Sequence, residues 1–376
     1  MKKTRKILLA VMLAFLFAVP SYAVNIDEYY KDGLESSGAK ELSEYLEDET
    51  KEYLAKLGID EPGIENILDL SLSSVFETIY EIINNGFKAP LKGFMTASGT
   101  VLLVSVCSAF ISDDEKNRGI LNLLCGCVLV TGTFLSAKDA ISSAATVLEC
   151  CVTFEKALIP VLAGVVSAGG NPTVALTYKG AAFAAAEFIS SFSKSFALPL
   201  VGISGALGIT GAMMPTLRLS AISEMIRKTM TTALASTASL FSGFIALKNI
   251  VSASADGLLN KGVKLASGAF IPVVGSTLGE IYASVTGSFG LLKNTVGIYA
   301  IISFLAVCIP VIVNLALWAI SMKAACVLSD LLDCRVCSEI LKNTSFVFSM
   351  INTVIVFCVA VFIVSTGLVI VIKTGE

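Results

Sequence analysis

The sequence predicts an all-α fold: a polytopic helical membrane protein of about seven or eight spans, with an N-terminal extracytoplasmic helical segment. Hydrophobic residues make up 55% of the 376 residues. Charged residues make up only 15%, whereas soluble domains carry about 25%. Long apolar stretches also alternate with short polar breaks from residue 94 onward. Because so little charge cannot cover the surface of a soluble protein of this size, most of the chain must face lipid or other helices.

Residues 1–23 are predicted to be a signal peptide. Four basic residues lie among the first six, an apolar stretch follows at 7–19, and small residues precede Ala23. These features are typical of a cleaved export signal. The apolar stretch is shorter than the roughly 20 residues of a membrane span. Cleavage after Ala23 is therefore favoured over a first span that stays attached.

Residues 24–93 form a predicted acidic extracytoplasmic helical region. Between residues 24 and 95 the chain holds 16 acidic and 6 basic side chains, a composition that is easily exported and unsuited to a nucleic-acid partner. Apolar residues at helical spacing predict one amphipathic helix that ends at Gly58 and Pro62, and a second that ends at residues 84–86. Either the two helices bury these faces against each other, or the faces dock another subunit.

Residues 94–376 form the predicted polytopic membrane domain. Basic residues around 218–228 and 323–342 mark two cytoplasmic loops. With the N-terminal region outside, the topology places the C-terminus outside as well, provided that the chain contains a broken or re-entrant segment near 265–292. Stretches rich in small residues predict close helix contacts, within the chain or between copies of it. The eight candidate spans are 94–111, 119–136, 157–170, 174–193, 196–214, 229–250, 296–320 and 346–372.

Four prolines in similar aliphatic surroundings form a regular pattern. Pro160 and Pro199 are 39 positions apart, and Pro272 and Pro310 are 38 apart, which predicts two repeats with two broken helices each. Paired interrupted helices point to a translocation path, because non-helical backbone inside a membrane must be buried or line a cavity. The alternative is ordinary proline kinks. The candidate conduit or helix-break residues are Pro160, Gly164, Pro199, Gly202, Pro272, Gly275, Gly279 and Pro310.

Ionisable residues inside apolar stretches are a second indication of function. Lys179 and Glu187 lie in the fourth candidate span, and Glu280 follows the proline at 272. Charged side chains are costly in hydrocarbon, so these three are candidate intramembrane polar sites. The alternative for each is an intramolecular ion pair or a side chain that extends to the membrane surface.

The sequence excludes most enzyme classes. It contains no histidine, so the usual general base and the commonest metal ligand are missing, and it contains no phosphate-binding Gly-x-x-x-x-Gly-Lys loop. Ten cysteines lie mostly in apolar stretches, and Cys334-Arg335-Val336-Cys337 is a lone C-x-x-C, which favours a structural role over a four-ligand zinc site. We predict no catalytic residues, no metal and no cofactor.

The chain as a whole resembles a known family. The predicted signal peptide, the acidic exported segment and the polytopic remainder are joined by one sharp local motif, F-I-P-V-V-G at residues 270–275, followed by Thr277 and Leu278. In this combination the sequence is similar to the stage III sporulation protein AE family. Ser276 stands where glycine is equally expected, which is a small departure.

The resemblance implies a function that composition does not. Members of that family are integral membrane subunits of a channel or secretion complex in endospore-forming bacteria, in the mother-cell membrane around the forespore. The complex supports late forespore gene expression. The resemblance implies other membrane subunits as partners, including a separate ATPase and a forespore-side membrane protein, and no catalytic residues. The residues alone leave two alternatives: a stand-alone secondary transporter for a small solute, and a scaffold without a conduit.

Overall fold

The computed structural model describes residues 26–110, 115–214, 219, 221–237, 239 and 274–371. This part of the chain contains helices and no strand, as the sequence predicts. In chain order the elements are α1 (Ile26–Ser36), a 3-10 helix (Lys40–Tyr45), α2 (Asp48–Lys56), α3 (Ile64–Leu68), α4 (Leu72–Gly86), α5 (Lys88–Phe110), α6 (Glu115–Ala168), α7 (Pro172–Ser191), a π-helix (Phe192–Ala197), α8 (Leu198–Met213), α9 (221–237), α10 (Val274–Leu331) and α11 (Arg335–Val371).

The N-terminal region is more divided than the sequence predicts. The predicted stop at Gly58 is confirmed: this glycine has a φ of +75°, and Ile59 N–H donates to the Leu54 carbonyl across it. The predicted end at residues 84–86 is confirmed, since α4 ends at Gly86, although Phe87 keeps right-handed helical backbone. Leu91 N–H donates to the Phe87 carbonyl, so α4 leads almost directly into α5.

The two longest helices, α6 and α10, are each much longer than one predicted span. The candidate spans 119–136 and 157–170 lie on the single helix α6, and α7, the π-helix and α8 carry 174–193 and 196–214 without a break. At 1.5 Å per residue, α6 and α10 are about 80 and 90 Å long, against about 30 Å of hydrocarbon core. Both helices must therefore extend well beyond the membrane or run steeply tilted within it.

Five helical stretches in the described part of the chain are long and apolar enough to cross a membrane. The predicted segments merge into fewer helices, and the candidate span 229–250 continues past the described residues. The five stretches are Ser73–Phe110, Gly119–Ala168, Ser195–Met213, Val285–Leu331 and Arg335–Val371.

Two tight turns set the long helices antiparallel. After Ala168 the chain reverses at Gly170, which has a φ of +87°, and Pro172 begins α7 at the position where its missing N–H is harmless. Between α10 and α11, Asp333 has a φ of 55°, and Cys334 N–H donates to the Ser329 carbonyl at 3.0 Å. The core is aromatic: the parallel rings of Phe304 and Phe362 lie 3.8 Å apart between α10 and α11.

The N-terminal region packs onto the long helices of its own chain. Buried Leu42, Leu46 and Leu54 belong to the same apolar core as α6 and α10. Gly33 lies so close to α10 that an added Cβ would stand 2.8 Å from Leu292 Cδ2. The first predicted stripe is therefore covered by α6 and α10 of the same chain, which neither alternative foresaw. Leu68 and Phe76 of the second stripe are 77% and 70% exposed, so the docking alternative stays a prediction for that helix.

Candidate functional site

A polar cavity lies where the N-terminal region meets α6 and α10. Its volume is about 430 Å³. Residues 139, 142, 143 and 146 of α6 and residues 307, 310, 311 and 314 of α10 contribute two facing walls. Both sets have the i, i+3, i+4, i+7 spacing of one helix face, so the two walls are the facing sides of straight helices. The third side of the cavity is formed by residues in and just before α2: Glu47, Glu49, Thr50 and Tyr53.

The cavity carries negative charge. Glu47 and Glu49 from the N-terminal side and Asp139 from α6 line it, and the described lining residues include no lysine or arginine. Ser142, Ser143 and Thr146 add hydroxyl groups on the α6 wall. A concave surface of one sign concentrates oppositely charged solutes. The arrangement therefore suits a cation or a positively charged segment, and it contains no general base paired with a nucleophile.

Two residues of the α10 wall affect its polarity. Pro310 cannot donate a backbone hydrogen bond, so the carbonyl one turn earlier loses its usual partner. Asn314 lies one turn further on, and its Oδ1 atom is inaccessible and accepts no hydrogen bond within the described structure. Polar groups without partners are costly inside an apolar helix bundle. Asn314 Oδ1 is therefore a buried polar atom in a residue of the cavity wall that no described residue satisfies.

Tyr53 separates the polar cavity from a second, apolar one. The second cavity, of about 210 Å³, lies between Leu57, the residues of α4 and Ile302 and Ile309 of α10. The Tyr53 hydroxyl donates to Glu49 Oε1 at 3.2 Å. Burial, followed by the charge of Glu49, raises the pKa of Tyr53 to about 12. Tyr53 is therefore a neutral donor at physiological pH.

An ion pair fixes α2 over these cavities. Lys56 Nζ lies 2.8 Å from both carboxylate oxygens of Glu81 on α4 and 3.2 Å from Glu52 Oε1. The hydrogen bond with Glu81, followed by that with Glu52, raises the pKa of Lys56. The pair joins the two helices that carry the walls of the apolar cavity.

The predicted helix breaks at Pro160 and Pro310 are wrong. Both prolines lie inside continuous helices, α6 and α10. A proline removes one backbone bond and crowds the preceding turn, and a long helix can absorb this by bending. Only Pro310 lines the polar cavity. Pro160 is exposed, and an added Cβ at Gly164 would meet nothing within 4 Å.

The strongest irregularity lies before Pro199. The π-helix Phe192–Ala197 widens the backbone directly ahead of this proline, which occupies the first turn of α8. Gly202 is exposed on the same helix, away from the polar cavity. The prediction of an interrupted helix here thus corresponds to a π-helical turn, a feature that recurs at functional sites.

The remaining helix-break residues belong to the start of α10. Pro272 lies outside the described residues. Gly275 and Gly279 are helical, within the first turns of α10. The predicted segment near 265–292 is therefore helical from Val274 onward. The spacing of the four prolines stays a prediction of two repeats, but two of the four predicted breaks, at Pro160 and Pro310, are absent, and Pro272 is not described.

Lys179 and Glu187 do not line the polar cavity. Glu187 forms an exposed ion pair with Lys156 of α6 at 3.1 Å, rather than with lysines of its own helix. Lys179 is exposed on α7. Glu280 belongs to helix α10, and its side chain is outside the part of the chain that the structure describes. The alternative of an intramolecular ion pair is therefore the one that the geometry supports for Glu187.

Sequence reasoning missed one buried acid. Glu155 of α6 is 4% exposed, and its Oε1 atom has no hydrogen-bond partner in the described structure. The neighbouring Phe154 packs against Phe304 and Phe362 in the aromatic core. Glu155 was missed because it falls between two predicted spans that α6 joins into one helix. A prediction that one continuous helix runs through residues 137–156 would have identified Glu155 as a candidate buried acid.

The fold defines the class of protein: a helical membrane protein with an acidic cavity between its N-terminal helices and two long membrane helices. The family described as Stage III sporulation protein AE (spore_III_AE) matches residues 59–375, and the chain belongs to this family. The Stage III sporulation protein AE of Bacillus subtilis (strain 168) is 27% identical over 205 residues, which cover 54% of this chain and 51% of the relative. No solved structure matches the chain.

Proposed function

We propose that this chain is a non-enzymatic membrane subunit of a channel or secretion complex that links mother cell and forespore. In this proposal the polar cavity is part of the conduit, and the N-terminal helices cover its extracytoplasmic end. The observation that carries the proposal is the acidic cavity itself, because a purely structural bundle of such apolar composition has no need for a 430 Å³ polar space. Family membership supports the sporulation role.

The geometry supports an opening on the exported side. The acidic N-terminal region, which the sequence predicts to be outside the cytoplasm, forms one wall of the cavity through Glu47 and Glu49. α6 and α10 are long enough to carry their 139–147 and 307–314 faces above the hydrocarbon core. A path that begins in this cavity would admit cations or basic protein segments first, since its lining is negative.

The partners in this proposal are the other membrane subunits of the complex, a separate ATPase and a forespore-side membrane protein. The chain itself would sit as a multi-pass protein in the mother-cell membrane, with its signal peptide removed. Deleting residues 27–90 is not a clean test of partner binding. The deletion would expose the apolar faces of α6 and α10 that Leu42, Leu46 and Leu54 cover.

A double substitution tests the proposal in a spore-forming host. Glu47→Gln with Asp139→Asn removes two charges from the cavity while keeping side-chain volume. We expect normal protein levels and normal co-purification of partner subunits, together with reduced late forespore gene expression and at least a tenfold lower spore titre. Glu44→Gln, an exposed acid of the same region outside the cavity, is the matched control. Wild-type spore titres in the double variant would contradict the conduit.

A stand-alone secondary transporter is the second candidate, and buried Glu155 favours it. Protonatable acids inside membrane helices are common in transporters. The two functions differ in what the purified chain does alone. Solute uptake into liposomes that contain only this protein, abolished by Glu155→Gln, would favour the transporter, and uptake that requires the partner subunits would favour the complex.

A further inference from the structure

The C-x-x-C sequence lies at the turn between α10 and α11. Cys334 is the residue directly before α11, and Cys337 lies in the first turn of that helix, so the start of α11 brings the two cysteines close together at this end of the bundle. Cys334 is half-buried, whereas Cys337 is fully buried. This asymmetry, with one accessible thiol and one protected thiol, is the arrangement that a C-x-x-C pair needs for exchange chemistry.

The backbone of this turn is firmly held. Asp333 occupies the left-handed region with a φ of 55°, and Cys334 N–H donates to the Ser329 carbonyl at 3.0 Å. The Ser329 hydroxyl donates to the Cys334 carbonyl at 2.8 Å, and Ser338 N–H donates to the same carbonyl at 3.0 Å. A purely structural pair of cysteines does not require such a fixed loop, but a pair that must approach bonding geometry without rearrangement does.

The surroundings of Cys334 favour its thiolate form. The hydrogen bond from the Cys337 thiol, which outweighs the effect of burial, lowers the pKa of Cys334 to about 7. The first turn of α11 adds the positive end of a helix dipole, whereas neighbouring Asp333 opposes the thiolate. From α6, the buried thiol of Cys125 lies within electrostatic range of both cysteines.

We propose that Cys334 and Cys337 form a redox-active dithiol that exchanges with low-molecular-weight disulfides at this end of the bundle. The proposal does not depend on the conduit, since the site lies at the α10–α11 turn and shares no residue with the polar cavity. Both cysteines are free thiols in the structure. A basic loop is predicted to place this turn on the cytoplasmic side, where lasting disulfides are rare and reversible ones act as sensors.

The exchange needs no oxidant other than the small disulfide itself. The Cys334 thiolate attacks one sulfur of a disulfide R–S–S–R, which forms a mixed disulfide and releases one R–S⁻. Cys337 then loses its proton and attacks Cys334 Sγ, which forms the Cys334–Cys337 bond and releases the second R–S⁻. The two thiolates leave as thiols at neutral pH. The protein dithiol is thus oxidised by two electrons, and the small disulfide is reduced by two electrons.

Mass spectrometry of the full-length protein tests the proposal, because trypsin cuts after Arg335 between the two cysteines. Equilibration with reduced and oxidised glutathione, followed by trapping with N-ethylmaleimide, should yield a disulfide-linked pair of peptides 324–335 and 336–342. The first peptide also contains Cys326, so Cys326→Ser is the matched control. The linked pair should persist in Cys326→Ser and disappear in Cys334→Ser.

Alkylation rates give a second measurement that needs no variant. At pH 7 the Cys334 thiol should react with iodoacetamide roughly tenfold faster than Cys326 in the folded protein, and this difference should vanish after unfolding. A linked peptide pair that requires Cys326 would overturn the proposal. So would two thiols that stay reduced at every glutathione ratio and become alkylated only after unfolding.

Discussion

The Sγ atoms of Cys151 and Cys308 lie 3.3 Å apart in the buried contact between α6 and α10. The two helices are far apart in sequence, and the walls of the polar cavity lie on the same two helices, close to this contact. Cys151 is 2% exposed and Cys308 is fully buried. The pair therefore reports directly on whether α6 and α10 pack in the register that creates the cavity.

We predict that a variant with Cys151 and Cys308 as its sole cysteines forms an internal disulfide on mild oxidation in membranes. The measurement is the loss of both alkylation sites, detected by mass spectrometry. A variant that retains Cys151 together with Cys358 instead is the control. Equal bridging in both variants would mean that the helices slide past each other rather than hold one register.

The crossing of α5 and α10 depends on a single glycine. A Cβ added at Gly93 would overlap the ring of Trp318, whose Cε3 atom would be 3.3 Å away, and this ring also packs on Phe348. We expect Gly93→Ala to lower the free energy of unfolding by about 1–3 kcal/mol, as overpacking does. Thermal unfolding in detergent measures the effect.

The control for that substitution lies on the same helix. Gly99→Ala would meet nothing within 4 Å, so its unfolding temperature should equal or exceed that of the wild type. Gly93→Ala should cost less stability in a Trp318→Leu background than in the wild type, because the smaller side chain leaves room for the added methyl group. If Gly93→Ala and Gly99→Ala behave alike, the close approach of α5 to α10 is incorrect.

Docking of the N-terminal helices should weaken at high pH. Tyr53 has its pKa raised from 10.0 to about 12 in the folded protein. A group with a raised folded pKa contributes stability that is complete below its unfolded pKa and lost as the pH rises through the folded value. The loss should therefore occur between about pH 10 and pH 12. The raised pKa of Lys56 acts with the same sign.

Absorbance titration at 295 nm measures this directly. The difference between wild type and Tyr53→Phe should show a phenol that ionises near pH 12 in the folded protein and near pH 10 after unfolding. An identical titration in both states would show that Tyr53 is not buried between the two cavities.

Substitutions of Glu155 distinguish a role of this side chain in stability from a role in function. Replacing a buried ionisable group by an apolar residue of similar size is often neutral or stabilising. We therefore expect Glu155→Met to keep or raise the unfolding temperature, and Glu155→Lys to lower the free energy of unfolding by about 3–5 kcal/mol because it buries an unpaired charge. Glu187→Gln, which breaks an exposed ion pair, should cost about 1 kcal/mol or less. Strong destabilisation by Glu155→Met would mean that the carboxyl is held by partners.

Composition and periodicity were sufficient to predict an all-α membrane fold, because apolar content and helical spacing are local properties of a sequence. The turn at Gly58 was predictable for the same reason. The joining of two predicted spans into α6 was not, because polar residues such as Asp139 and Glu155 look like loop residues in the sequence, and only the packing of neighbouring helices shows that Glu155 is buried. The cavity is lined by residues about 260 positions apart in the chain, such as Glu47 and Val307, which no local pattern brings together.

The proline pattern illustrates the same limit. Pro310 was correctly singled out as a residue of interest, and it lines the cavity, but its helix does not break. A proline in a sequence indicates a missing backbone donor, and tertiary packing decides whether the helix bends, widens or ends. At Pro199 the backbone widens into a π-helix, and at Pro160 the helix simply continues.

The most direct test of the conduit is the accessibility of Asn314 to water. In a cysteine-free variant, Asn314→Cys places a thiol in the cavity wall, and Ile320→Cys places one on the exposed apolar side of the same helix. A membrane-impermeant charged maleimide is added to intact non-sporulating cells that express the variants, in which the extracytoplasmic side faces the medium. It should label Asn314→Cys at least tenfold faster than Ile320→Cys. Equal, slow labelling of both cysteines would show that no water-filled space reaches α10, and it would contradict the conduit.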